Sequence, residues 1–156
     1  MRVFSPVFLD GKPIPTRYAH YGVVGGNNIS IPLSWSDAPA GTQSFTLSIV
    51  DPHPVANNWI HWFVINIPSN IVSLPEGASC KNMPAGSKEL YNSYGTRGYG
   101  GPEPPKGSGP HPYQIVVCAL NTPSLDIPVN TTLTAFRKAL EEKVIASTII
   151  TGIYER

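Results

Sequence analysis

Charge is scarce in this chain. Asp, Glu, Lys and Arg make up 13% of it, about half the share of an ordinary globular protein, roughly 25%. The net charge is +1, and no run of lysine and arginine exceeds two neighbours. Nucleic-acid grooves are built from basic stripes, so a nucleic-acid partner is not expected. Long apolar runs are missing too. None reaches the roughly 18 residues of a membrane span. At the N-terminus, Ser5, Pro6, Asp10 and Lys12 interrupt what would have to be the apolar core of a signal peptide. A cytoplasmic protein without a membrane span is the expectation. Only two cysteines occur, Cys80 and Cys118, and their spacing is that of neither a metal site nor a disulfide framework. No GxSxG elbow, Walker A loop, dinucleotide fingerprint or HExxH is present. A non-enzymatic role with no cofactor follows as the first expectation.

Glycine and proline are what the chain has in excess, 14 and 17 of 156 residues. They follow no tandem period, which excludes collagen, and strong apolar runs accompany them, which excludes disorder. One turn-rich, mainly β domain spanning residues 1–156 fits this composition. QSFTLSIVD (43–51) alternates like a strand. WIHWFVINIP (59–68) is apolar on both faces and reads as a central strand stopped by Pro68. YQIVVCAL (113–120) is a second buried strand, and ISIPLSW (29–35) a shorter one, with Pro32 at an edge or bulge. Asn130 or Thr131 can cap a helix in which Leu133, Phe136, Leu140, Val144 and Ile145 recur at helical spacing through Ala146. STIITGIYE (147–155) closes the chain as a strand. Residues 68–112 are Gly-, Pro-, Asn- and Ser-rich, and a loop region of that length is usually functional.

Strand parity then picks out polar residues. Asp51 shares the face of Phe45, Leu47 and Ile49. His61 shares that of Trp59, Phe63, Ile65 and Ile67. Tyr113, with His111, shares that of Ile115, Val117 and Ala119. A carboxylate on a core-facing side needs a partner, so a polar pocket let into the edge of an apolar core is expected. In it Asp51 would accept from His61, and His111 and Tyr113 would donate to a ligand. Taken singly, a strand histidine is more often a hydrogen-bonded core residue, an Asp-Pro a turn, and a buried tyrosine a packing group. Only their coincidence points to a site.

The segments SPVFLDGKPIPTRY, PLSWSDAPAGTQSFTLSIVDPHP, WIHWFVINIP, NSYGTRGYGGPEPPKGSGPHPY and ALEEKVIASTIITGIYER together resemble the phosphatidylethanolamine-binding proteins, in particular their short bacterial and archaeal form, also described as Raf-kinase-inhibitor-like. The resemblance implies an antiparallel Greek-key β-sandwich with a C-terminal helix and long Gly/Pro-rich loops. It implies a pocket for small anions such as phosphate and phosphorylated head groups. The pocket residues it assigns are Asp51, Pro54, Trp59, His61, Glu103, Pro104, Pro105, His111 and Tyr113. It also implies a protein partner, a kinase or protease, and a homodimer. The chain departs from the family pattern at His53, Glu103 and Pro112. Glu103 is expected to face solvent and His53 to be a solvated turn residue. Two rivals stand beside the binding reading. One is a hydrolase or metal-dependent enzyme using Asp51, His61 and His111, although no serine or cysteine is obviously placed as nucleophile. The other is a Pro102-x-x-Pro105 ligand for a proline-binding module.

Overall fold

The computed structural model describes residues 1–156. Nine strands and one helix follow in chain order: β1 Arg2–Phe4, β2 Lys12–Pro13, β3 Leu33–Ser36, β4 Ser44–Asp51, β5 Trp59–Pro68, β6 Ser73–Leu74, β7 Lys88–Glu89, β8 His111–Leu120, α1 Leu133–Leu140 and β9 Val144–Tyr154. They form the expected mainly β sandwich. A three-stranded sheet in the order β1-β3-β6 packs on a six-stranded sheet in the order β2-β9-β8-β4-β5-β7. All the paired strands are antiparallel except β2 with β9. The four long strands are those whose β-branched and aromatic content announces them. After β5 the chain makes a long excursion and returns as β8 beside β4.

The principal core lies between the sheets. Val3, Leu33, Trp35 and Leu74 from one side meet Phe45, Leu47, Ile49, Trp62, Val64, Ile67, Ile115 and Val117 from the other. A second, smaller core covers the opposite face of the large sheet, where Val50, Phe63, Ile65, Cys118 and Leu120 pack under Phe136 and Leu140 of α1. The Phe63 and Phe136 rings stack at 4.1 Å. Full burial of a side chain of this size is worth about 1.5–3 kcal/mol, which is what holds so short a helix on the sheet.

Two sequence expectations need correction here. The cap of α1 is Thr132, whose side chain accepts from the Ala135 N–H at 3.1 Å, in place of Asn130 or Thr131. The helix ends at Leu140, well before Ala146. Glu141 is extended and Glu142 has φ 62°, so the chain reverses there. Val144 and Ala146 are then drawn into β9 by pairing with Leu120 and Ala119. Their helical spacing is outweighed by a ready sheet edge.

The second correction concerns β5. Its residues 59–67 do not keep a single alternation. Ile49 pairs with Trp62 and Val50 with Ile60, which leaves His61 as the extra residue of a β-bulge. A second irregularity lies opposite Thr46, where Asn66 takes φ 60°. Trp62, Val64 and Ile67 therefore join the principal core, and Phe63 and Ile65 face the helix. They do not share the face of His61.

Candidate pocket at the end of the sandwich

At one end of the large sheet β4, β5 and β8 stop together, and their terminal residues face a cavity of about 510 Å³. Asp51 ends β4, Trp59 begins β5 and His111 begins β8, while Asp51 pairs directly with Trp59. The lining consists of Asp51, Val55, Ala56, Trp59, His61, Tyr94, Glu103, Pro104, Pro105, His111, Tyr113 and Arg156. Eight of the nine residues chosen from sequence are in that set. Pro54 is not: it is exposed in the turn after β4, and Val55 and Ala56 line the wall in its place.

Behind the cavity lies a buried polar row. His111 is wholly buried, and its Nδ1 donates to Asp51 Oδ2 at 2.6 Å. Its Nε2 lies 2.8 Å from Ser108 Oγ, which in turn lies 2.6 Å from the Pro105 carbonyl. A hydroxyl has one proton to give. It serves either the Pro105 carbonyl or His111 Nε2, while the Asp51 carboxylate fixes an N–H on Nδ1. The other Asp51 oxygen accepts from the His53 N–H at 2.9 Å. The His53 ring stacks on His111 at 3.8 Å, with its Nδ1 accepting from the Val55 N–H. His53 is thus half-buried against His111, outside the cavity lining, and not a solvated turn residue.

This arrangement overturns the expected pairing. Asp51 takes His111, while His61 gives its Nδ1–H to the Gly100 carbonyl at 2.7 Å. The bulge rotates His61 away from the carboxylate and toward the glycine loop. Both nitrogens of His111 are committed inside the protein, so neither is offered to the cavity. His61 is only 2% exposed. Burial, only partly opposed by the Gly100 carbonyl and the Asp51 charge, lowers it to about 4. At neutral pH the ring is uncharged. Its Nε2 carries a lone pair with no partner in the protein, yet it is not sealed from solvent.

Tyr113 is 1% exposed, packs edge-on against His61 at 4.9 Å, and makes no hydrogen bond through its hydroxyl. Burial and then Asp51 push the phenol well above its ordinary value of 10, so it remains a donor. Pro112 fixes φ between His111 and Tyr113, and the strand points both inward.

The rim was the least legible part. Glu103 does not face solvent freely. It takes the His20 ring at 2.6 Å and lies 4.0 Å from Arg156 Nη1. The His20 ring also stacks flat on Tyr94 at 4.1 Å, and the His20 backbone N–H donates to the Pro102 carbonyl at 3.0 Å. Arg156 donates from Nε to the Pro104 carbonyl and from Nη1 to that of Gly22. Gly101 permits the close approach of this strap, since a Cβ there would run into the Tyr18 carbonyl. Tyr94 and Arg156 had no local signal. Arg156 is carried in because β9 pairs His111 with Tyr154. The Pro102-x-x-Pro105 ligand reading is not supported, because Pro102 and Pro104 are buried in this wall.

No three His, Cys, Asp or Glu side chains converge as metal ligands, because Asp51 and His111 point at one another. Ser108, His111 and Asp51 lie in the order of a hydrolase triad, a feature the sequence did not suggest. Ser108 also lies 2.6 Å from the Pro105 carbonyl and is not part of the cavity lining.

Residues 4–155 match the family described as phosphatidylethanolamine-binding protein. The UPF0098 protein YbcL of Escherichia coli K12 is 37% identical over 160 residues, covering 99% of this chain and 87% of that protein. A UPF0098 protein of Aquifex aeolicus is 36% identical, covering 100% of this chain and 89% of its own. The crystal structure of E. coli YbcL, described as a member of the mammalian PEBP family, superposes with a TM-score of 0.92 at 35% identity, covering 99% and 98% of the two chains. A Mycobacterium tuberculosis relative, 32% identical over 99% of this chain and 72% of its own length, is named as a candidate lipoprotein, LppC. The relatives therefore do not by themselves place this chain in the cytoplasm. No helix is long and apolar enough to cross a membrane.

Proposed function

The chain belongs to the phosphatidylethanolamine-binding protein family, and from that premise we propose that it is a binding protein, not a catalyst, for small phosphate-type anions held in the cavity at the end of the sandwich. The observation that carries this is the Tyr113 hydroxyl. Its ring is buried, while the hydroxyl has no partner in the protein, opens on the cavity and stands near the Asp51–His111 pair. A ligand oxygen arriving there replaces solvent as the acceptor of that proton, and in so shielded a place the bond is stronger than at an open surface. Arg156 adds positive charge at the rim. The Pro- and Gly-rich wall is ordered beforehand, which lowers the entropy lost on binding. Regulation of a kinase or protease partner, and a homodimer, belong to the same proposal as roles that the occupied pocket could control.

Amide-shift mapping with inorganic phosphate, phosphoethanolamine and a nucleotide tests the reading. Shifts should cluster at Gly100, at 103–113 and at the start of β5. Shifts confined to other surfaces, or none with any of the three, would refute it. One observation favours a hydrolase instead, the Ser108–His111–Asp51 row. A fluorophosphonate probe separates the two: binding leaves Ser108 unlabelled, whereas labelling of Ser108 would establish a nucleophile.

A further inference from the structure

The cavity presents more acceptors than a bare anion tolerates. Three groups of its lining carry lone pairs with nothing to donate: the Asp51 carboxylate, the Glu103 carboxylate and His61 Nε2, whose tautomer is fixed by the Nδ1–H bond to Gly100. Three can donate: the Tyr113 hydroxyl, the Trp59 indole N–H and Arg156. Arg156 has already given its Nε and an Nη1 proton to backbone carbonyls. Formal charge tells the same story. Two carboxylates, Asp51 and Glu103, face one permanent cation, Arg156, so each negative charge a ligand brings is opposed and a second more than a first.

We infer that the pocket reads a proton on its ligand: it selects oxyanions that keep an acidic O–H, such as dihydrogen phosphate or a singly charged phosphomonoester, with His61 Nε2 as the acceptor of that hydrogen. This rests on the phosphate-binding reading above and specifies it further. The ligand accepts from Tyr113 through one oxygen and donates to His61 through another, and the two rings sit edge to face at 4.9 Å. A dianion brings only lone pairs to that side. A ligand without an O–H displaces the solvent that reaches His61 Nε2 and offers that lone pair nothing in return, so a site of this kind rejects it.

The groups facing His61 are Asp51 from β4, His111 and Tyr113 from β8, and His20, Tyr94, Glu103 and Arg156 from the loops and C-terminus. Their own titration has to be separated from the ligand's. Sulfate provides the control, since it keeps its charge across the neutral range and has no proton to offer. Dimethyl phosphate provides another, being a monoanion without an O–H.

The experiment is amide-shift titration of the full chain with inorganic phosphate, sulfate and dimethyl phosphate at pH 5.5 and pH 8. At pH 5.5 phosphate should bind at least about tenfold more tightly than either control, the discrimination that about 1.4 kcal/mol provides. The advantage should shrink at pH 8, because phosphate groups lose their second proton across this range, near pH 6 for a monoester. Equal affinity for sulfate or dimethyl phosphate at pH 5.5 would overturn the inference while leaving anion binding intact. Absence of binding by all three would remove the anion reading and this inference with it. In the His61→Phe variant, phosphate should fall to the level of dimethyl phosphate. The wild-type comparison decides the matter even where that variant folds poorly.

Discussion

Replacing His61 with glutamine is expected to remove an acid sensitivity that the fold carries at this residue. Desolvation holds the folded imidazole at about 4, against 6.5 for an unperturbed histidine. Between those values the unfolded chain takes up a proton that the folded chain refuses. The stability tied to this group is therefore intact above pH 6.5, is lost as pH falls, and levels off below pH 4. The slope inside that window is about 1.4 kcal/mol per pH unit. The loss comes to about 2 kcal/mol at pH 5 and about 3 kcal/mol once the folded group is also protonated. Urea unfolding of the wild type and His61→Gln at pH 7.5 and pH 5 measures it. The Asp51–His111 and His20–Glu103 pairs are present in both proteins, so their share largely cancels in the difference. The wild type should lose about 2 kcal/mol more than the variant on going to pH 5. Equal losses would refute the argument, and would mean that water reaches the ring freely or that the His61–Gly100 bond opens on acidification.

Asp51→Ala leaves buried His111 and the His53 N–H without their carboxylate and is expected to cost about 3–5 kcal/mol; a loss below about 1 kcal/mol in urea unfolding at pH 7 would show that the carboxylate does not hold these groups. Phe136→Ala should destabilise by about 3–5 kcal/mol, since the ring is buried and stacked on Phe63. The amide shifts of the phosphate-bound pocket should be unaltered, because that core lies on the opposite face of the sheet, and a change in them would contradict the separation of the two cores. Gly101→Ala forces a Cβ into the backbone at Tyr18 and Ala19. It should lower the melting temperature and weaken phosphate binding together; a variant that melts and binds like the wild type would mean that the loop approaches the strap less closely than described.

The strands, the second buried layer and most of the site were legible because they depend on local composition. β-branched and aromatic runs mark β4, β5, β8 and β9, and polar residues placed on apolar faces near strand ends mark Asp51, His61, His111 and Tyr113. The repeated glycines and prolines announced a stiff wall for the same local reason: they restrict or free φ wherever they stand. The helix was misjudged at its C-terminal end because Val144 and Ile145 suit helical spacing as well as they suit a strand, and only the free edge of β8 decides between them.

What the residues could not fix alone was which polar group meets which. Period-two reasoning assumes an unbroken strand, and one extra residue at the His61 bulge turns Phe63 and Ile65 to the opposite face until the irregularity at Asn66 brings Ile67 back. That single register change hands Asp51 to His111, turns His61 to the Gly100 carbonyl, and so converts His61 from an expected cationic partner into a neutral acceptor. The rim follows the same logic. Glu103, His20, Tyr94 and Arg156 lie far apart in the chain and meet only because β9 lies along β8 and residues near His20 strap across the glycine loop. The sequence by itself determined the kinds of groups available and the layers that would bury them. The tertiary structure decided their pairing, because hydrogen-bond partners are chosen by distances of about 3 Å, and strand register and loop closure, not composition, set distances on that scale.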